Sequence, residues 1–106
     1  MPKYLFEATY TAEGLRGLTK DKASGRRKAI EKGLAAIGGK LESMYFTFGD
    51  ADVVLICDCP DAATAAGFAI TVSASGAVRS RTTPLLTIEE IDAGLSKNIN
   101  YQAPGT

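Results

Sequence analysis

Four acidic residues frame the most apolar stretch of the chain. Asp50 and Asp52 precede the run Val53 to Cys57, and Asp58 and Asp61 follow it. Alternation places Asp50 and Asp52 on one face if the strand is already regular at that point. A carboxylate pair of this kind in a cleft holds an amine or acts as a general base. The alternative interpretation is turn chemistry, in which aspartates accept backbone N–H bonds and discourage edge pairing.

Two cations alternate near the end of the chain. Arg79 and Arg81 fall on one face of a predicted strand. With Glu7 and Glu42 on neighbouring strands, a cross-strand ion network explains them. If that face lines the interior of a dimer, the same arginines clamp a carboxylate or a phosphate. Both interpretations remain open at the level of sequence.

Aromatic side chains provide candidates for the apolar wall of such a site. Tyr4 and Tyr10 lie at the two ends of the first predicted strand, and either ring could cover a ligand held by the arginines. The candidate ligand site thus consists of the charged side chains and the ring of either Tyr4 or Tyr10.

Other chemistries find little support. The chain has no histidine, which removes the commonest metal ligand and general base and excludes haem bound through histidine. Cys57 and Cys59 form a C-x-C pair, which is too little for a redox motif or a zinc site. Cys57 is better explained as a small buried hydrophobe. We expect no metal and no cofactor.

Bulk properties point to one globular domain over residues 1–106. Basic and acidic residues balance at 12 each, so no net field attracts nucleic acid. No apolar stretch approaches the roughly 20 residues that span a bilayer. The first ten residues lack a signal-peptide core. We therefore expect a cytoplasmic protein with no nucleic-acid or membrane partner.

Hydrophobic periodicity predicts four strands, at 4–10, 40–48, 53–58 and 77–83. A short helix follows Thr11, a polar loop covers 19–25, and a longer helix begins at Ser24 and ends at the glycine pair 38–39. Another helix follows Asp61 and ends at Gly76. Pro84 is expected to stop the last strand, and Thr87 to Glu90 forms a capping box for a C-terminal helix.

The order β-α-β-β-α-β plus a helix predicts an α+β fold of the ferredoxin-like kind, with an antiparallel sheet and helices on one side. The second strand is apolar on both faces: alternation puts Leu41 and Tyr45 on one face, and Met44, Phe46 and Phe48 on the other. A lone subunit would leave one set in water. We therefore expect a homodimer in which two sheets pack face to face, closing into a dimeric α+β barrel.

Three stretches carry a resemblance to a known family: "KYLFEATYTAEGLRGL", "LAAIGGKLESMYFTFGDADVV" and "SASGAVRSRTTPLLTIEE". Over about nine tenths of its length the chain resembles the GYD family of small bacterial proteins. The resemblance implies a dimeric α+β barrel and no particular reaction. Gly49 and Asp52 match the family pattern, whereas Ala51 stands where the pattern has tyrosine. The role of that ring is lost, or has moved to Tyr45 or Tyr101.

Two functional hypotheses follow. The first is a non-enzymatic dimeric module that binds a small anionic or zwitterionic metabolite. The second is a cofactor-poor enzyme of the dimeric barrel kind, similar to a monooxygenase or isomerase, with Glu7, Asp50, Asp52 or a tyrosine as the base. We favour the binding module. Neither the ligand, nor assembly beyond a dimer, nor the order of the C-terminal tail follows from the sequence.

Overall fold

A computed structural model describes residues 1–106, and it contains four strands and three helices. In chain order these are β1 (Lys3–Tyr10), α1 (Ala12–Ala36), β2 (Lys40–Phe46), β3 (Val53–Asp58), α2 (Ala62–Ala74), β4 (Val78–Leu85) and α3 (Ile88–Leu95). The predicted order of elements is confirmed. The chain is α+β.

The four strands form one antiparallel sheet in the order β2-β3-β1-β4. The strands β1 and β3 are central, and β2 and β4 form the two edges. Directly paired residues project to the same face of a sheet. One such row crosses the whole sheet, from Tyr45 through Val54 and Glu7 to Arg81. The pairing register therefore decides which side chains share a surface.

One face of the sheet, the covered face, packs against α1 and α2. Tyr4, Phe6, Leu55 and Cys57 are buried there, and Leu34 of α1 joins the same cluster. The helix α2 contributes small and aromatic side chains. One of them, Phe68, meets Phe6 edge to face with ring centroids 5.5 Å apart. The burial of these strand residues follows the period-two alternation of β1 and β3.

The opposite face, the open face, has no helix over it. It carries half-buried Leu5, Val54 and Ile56 in the centre of the sheet, with charged and polar groups around them. Since Glu7 and Arg81 are paired across β1 and β4, they also belong to this face. The open face is therefore apolar in the middle and charged toward the β4 edge.

The prediction that Leu41 and Tyr45 share a face is wrong. The register of β2 against β3 shifts between Leu41 and Ser43, because β2 contains a bulge there. One extra residue reverses the alternation, so Leu41 packs against the core together with Met44. Tyr45 lies on the open face and is 69% exposed. The strand also ends at Phe46, two residues earlier than predicted.

The predicted loop at 19–25 is wrong in extent, although a break between two helical segments does fall within this range. The helix α1 runs from Ala12 to Ala36, and its break is confined to Lys22, whose φ is 67° and ψ is 167°. A residue with a Cβ rarely adopts this conformation, so Lys22 introduces the kink at a conformational cost. The polar composition around it reflects solvent exposure of the helix rather than a loop.

The prediction that Pro84 stops β4 is also wrong. The strand includes Pro84, which pairs with Tyr4, and ends at Leu85. Proline is tolerated on an edge strand, where the missing N–H can face away from the neighbouring strand. Because β4 is an edge strand, its other side has no partner strand.

Three of the predicted helix starts are confirmed, whereas the predicted start at Ser24 is wrong because Ser24 lies inside α1. Thr11 accepts the N–H of Gly14, Asp61 accepts the N–H of Thr64, and the Thr87 and Glu90 side chains form a reciprocal capping box. Each cap satisfies N–H groups that a helix start leaves without an intrahelical partner. These local signals depend on few residues, so they could be read directly from the sequence.

The start of α1 lies unusually close to the segment that leads into β4. A Cβ on Gly14 would come within 1.9 Å of the Ala77 carbonyl oxygen. That oxygen is held in place, because it accepts the backbone N–H of Thr11 at 2.9 Å. Only glycine therefore fits at position 14. One turn later, a Cβ on Gly17 would meet no atom within 4 Å.

These two glycines provide a matched test of the packing. We expect Gly14→Ala to lower the free energy of unfolding by about 2–3 kcal/mol, because the backbone must move apart. We expect Gly17→Ala to raise it by roughly 0.5–1 kcal/mol through helix propensity alone. Chemical denaturation at one protein concentration measures both. Equal effects of the two substitutions would contradict the close approach.

Candidate functional site

A polar cleft lies at one end of the open face, beside the β4 edge. Its volume is about 450 Å³, within the roughly 300–1,000 Å³ range of small-molecule sites. Its walls come from β1, β4 and the segment that connects β2 to β3. Seven residues line it: Glu7, Thr9, Asp50, Ala51, Arg79, Ser80 and Arg81.

The cleft brings together four of the seven ligand-binding candidates from the sequence, which are Glu7, Tyr10, Tyr45, Asp50, Asp52, Arg79 and Arg81. Glu7, Asp50, Arg79 and Arg81 all line it, and they supply two carboxylates and two guanidinium groups. The Arg81 guanidinium lies 3.9 Å from the Glu7 carboxylate, and its side chain is 75% exposed. An ion pair this long and this exposed contributes little to stability. Arg79 forms no ion pair within the chain.

Asp50 enters the cleft through the irregular segment between β2 and β3. This segment is tied to β1, because the Thr9 hydroxyl donates to the Asp50 carbonyl oxygen at 3.3 Å. The Asp50 residue is exposed and its carboxylate accepts no hydrogen bond from the chain. The acid is therefore free to meet a ligand.

Asp52, the other acid before the apolar run, has a structural role. Its carboxylate accepts the Tyr10 N–H at 2.8 Å, and its own N–H donates to the Ala8 carbonyl oxygen at 2.9 Å. Its carbonyl oxygen accepts the Thr47 N–H at 2.8 Å. Asp52 thus fastens the start of β3 to the end of β1. The hypothesis of a same-face pair with Asp50 does not describe this arrangement, because regular strand begins only at Val53.

All three tyrosines considered for the site, Tyr4, Tyr10 and Tyr45, lie outside the cleft. Tyr10 belongs to the covered face, with Tyr4, so neither ring can cover a ligand between the arginines. Tyr45 shares the open face with Arg81, but it stands on the opposite edge strand, with Val54 and Glu7 between them in the row. The cleft therefore has no aromatic wall within the subunit.

The acids at the far end of β3 also have structural partners. The Lys3 ammonium donates to Glu42 at 2.7 Å and to Asp58 at 2.9 Å, which raises the pKa of Lys3. The expected network between Glu42 and the arginines is therefore wrong, because Glu42 lies at the other end of the sheet. The N–H of Thr64 holds the pKa of Asp61 below its usual value.

Cys57 and Cys59 are fully buried, with their sulfur atoms 3.9 Å apart. Burial raises the pKa of the Cys57 thiol to about 12, and it also raises the pKa of Cys59. Both groups therefore stay protonated at neutral pH, and thiols are poor nucleophiles in that form. The interpretation of Cys57 as a small buried hydrophobe agrees with these positions.

Thr9, Ala51 and Ser80 line the cleft but were not among the sequence candidates. Thr9 could have been predicted from the sequence, since it lies two residues after Glu7 on β1 and therefore shares its face. The other two carry no chemical signal. Ala51 reaches the cleft through the path of the segment before β3. Ser80 stands between Arg79 and Arg81 on β4, but its side chain is on the covered face, where its hydroxyl lies 2.9 Å from the Ser73 hydroxyl.

The GYD domain family matches residues 4–95, which include the whole sheet except its first residue and all residues of the cleft. The chain belongs to the GYD domain family. No curated protein and no solved structure matches it. Within this GYD domain, the departure at Ala51 lies in the wall of the cleft, where the residue is 9% exposed.

None of the helices of this GYD domain combines the length and apolar character needed to cross a membrane. No group of three or more potential metal-ligating side chains occurs in it.

The two neighbouring acids give a second matched test. We expect Asp52→Ala to lower the free energy of unfolding by about 1–3 kcal/mol, because the Tyr10 N–H loses its acceptor in a partly buried position. Asp50→Ala should stay within roughly 0.5 kcal/mol of the original protein, since that side chain is exposed and unbonded. Thermal and urea unfolding distinguish the two. Similar losses in both variants would contradict the division of roles.

Proposed function

We propose that this GYD domain is a non-enzymatic homodimeric module that binds a small zwitterionic or anionic metabolite in the cleft of Glu7, Asp50, Arg79 and Arg81. In this proposal the ferredoxin-like subunits pack through their open faces, as in a dimeric α+β barrel. The observation that carries the ligand class is the presence of two carboxylates and two guanidinium groups in one cleft.

The charge arrangement favours a zwitterion over a simple anion. The two guanidinium groups lie on β4, whereas Glu7 lies on β1 and Asp50 lies in the segment before β3. A ligand carboxylate would bind the arginines, which offer forked N–H donors. A ligand ammonium would meet Asp50, whose carboxylate has no partner in the chain. The Glu7–Arg81 contact is loose enough to open for such a ligand.

The size of the surface supports the dimer. The chain exposes 7499 Å², whereas a compact monomer of 11.1 kDa is expected to expose about 5,700 Å². The excess, roughly 1,800 Å² per chain, is the area that each partner of an extensive obligate interface buries. Only 11 of 106 residues are buried within the single chain. A second copy would complete a core that one subunit leaves small.

The open face is the natural site for this pairing. Leu5, Val54 and Ile56 form its apolar centre, and no segment of the same chain covers them. Packing two such faces across a two-fold axis would bury the same residues on both subunits. It would also place the surface of the partner over the cleft and supply the apolar cover that Tyr10 cannot.

The enzyme hypothesis finds less support in the cleft. Glu7 is engaged with Arg81, and Asp50 is exposed on an irregular segment. A general base is usually positioned by burial and by a second group that orients it. No side chain of the cleft is positioned in the way expected of a general base, so we propose that the cleft binds a ligand without a reaction.

A thermal-shift screen with amino acids, simple carboxylates and simple amines tests the ligand proposal. A ligand at 100 times its dissociation constant stabilises the folded protein by about 2.7 kcal/mol. We expect amino acids to give the largest shift, because they use both charge types. The double variant Arg79→Ala/Arg81→Ala should lose the shift.

The control is Arg27→Ala, which removes a 66% exposed arginine side chain on α1, far from the cleft. It should keep the full shift. The ligand proposal fails if no compound of these three classes raises the melting temperature. It also fails if Arg27→Ala reduces the shift as much as the double variant does.

Sedimentation velocity tests the dimer. We expect the original protein to be dimeric at micromolar concentration. We expect Ile56→Asp to raise the dimer dissociation constant at least 100-fold, about 2.7 kcal/mol, because it buries a charge in the interface. Ala66→Asp, which adds the same charge on the exposed side of α2, should leave it unchanged. A folded monomer at micromolar concentration would contradict the proposed dimer.

A further inference from the structure

The chain ends in a segment that contributes almost nothing to its own core. We call residues 86–106 the C-terminal arm. It contains α3, in which no residue is buried. The molecule is 57 Å long but only 33 Å and 22 Å across, and its radius of gyration is 17.0 Å. A compact chain of this length has a radius of gyration of about 13 Å. The arm therefore extends away from the body.

The arm has the amphipathic pattern of a helix that packs against a surface. Ile88, Ile91 and Leu95 follow one another at helical spacing and form a single stripe. Their exposed fractions are 75%, 46% and 78%. Half of the large exposed hydrophobic residues of the whole chain belong to the arm, namely Leu86, Ile88, Ile91, Leu95, Ile99 and Tyr101. A concentration of this kind marks an interaction surface.

The charge of the arm complements the charge of the body. Residues 86–106 contain three acids and one cation, for a net charge of −2. Residues 1–85 contain nine acids and 11 cations, for a net charge of +2. Glu89 and Asp92 flank one side of the apolar stripe on the helical wheel. The net charge of the body, residues 1–85, is therefore opposite in sign to the net charge of the arm.

We propose that the arm of one subunit docks onto the body of a second copy of this chain, so that the two subunits exchange arms. The proposal rests on the dimer put forward under Proposed function, and it adds a contact outside the open face. The surface excess of roughly 1,800 Å² includes the arm, so both contacts together account for the area of an extensive interface. A two-fold axis forms the arm contact twice.

Sedimentation equilibrium of variants of the 106-residue chain tests the docking. Leu95→Asp and Ile91→Asp place a charge in the stripe, and each should raise the dimer dissociation constant by about 30-fold. Ala93→Asp adds the same charge to the opposite side of α3 and should leave the constant unchanged. Unchanged constants for both stripe variants, while Ile56→Asp still separates the subunits, would overturn arm exchange and leave the open-face dimer intact.

A second measurement locates the arm. Because Cys57 and Cys59 are fully buried, a cysteine introduced as Ala93→Cys can be spin-labelled selectively. Labelled protein is mixed with unlabelled, isotopically enriched protein, and intermolecular broadening of the amide signals is recorded. We expect broadening in residues 1–85 of the enriched copy. A second sample carries the spin label and the isotope enrichment on the same chain. If broadening appears only in this second sample, the arm packs on its own body and the proposal is overturned.

Ligand binding distinguishes a failure of the arm proposal from a failure of the ligand proposal. The thermal shift caused by amino acids depends on Arg79 and Arg81, and it is measured independently of the arm variants. A protein that gives this shift but behaves as a monomer overturns both the dimer and the arm exchange while keeping the ligand site. If the protein is a dimer with exchanged arms but its melting temperature does not rise with amino acids, the arm exchange stands and the ligand proposal is overturned.

Discussion

Alternation along the central strand β1 is the constraint on which the other features of the molecule depend. Tyr4 and Phe6 enter the core beneath α1 and α2, and this places Leu5 and Glu7 on the face that no helix covers. The same strand therefore forms both the hydrophobic core and one wall of the cleft. A register slip of one residue would exchange these two surfaces, so core packing also positions the charged site.

The cleft depends on the attachment of an irregular segment to this strand. Asp52 holds the start of β3 to the end of β1 through its side chain and its backbone. That attachment brings Asp50 to the same end of the sheet as the arginines of β4. Two acids that are nearly adjacent in sequence thus have separate roles, one in the architecture and one in the proposed binding of a ligand amine. The acids after the apolar run are engaged by Lys3 and by the start of α2.

The small core gives the proposed assembly its physical reason. One chain exposes more surface than a compact protein of its mass, and both the open face and the C-terminal arm leave apolar groups accessible. A second copy can cover both. Burial of apolar area stabilises association by roughly 25 cal/mol per Å² before the entropic cost of association, so coverage of two surfaces is a strong driving force.

Local patterns in the sequence were sufficient to predict the element order, the span of β3 and the caps at Thr11, Asp61 and Thr87. These features depend on neighbouring residues or on period-two alternation. The bulge after Leu41 and the continuation of β4 through Pro84 depend on which strands are paired. Alternation along β1 already puts Tyr10 on the face opposite Glu7. The cleft itself depends on tertiary structure, because its four charged residues come from three parts of the chain and only the sheet order β2-β3-β1-β4 brings them together.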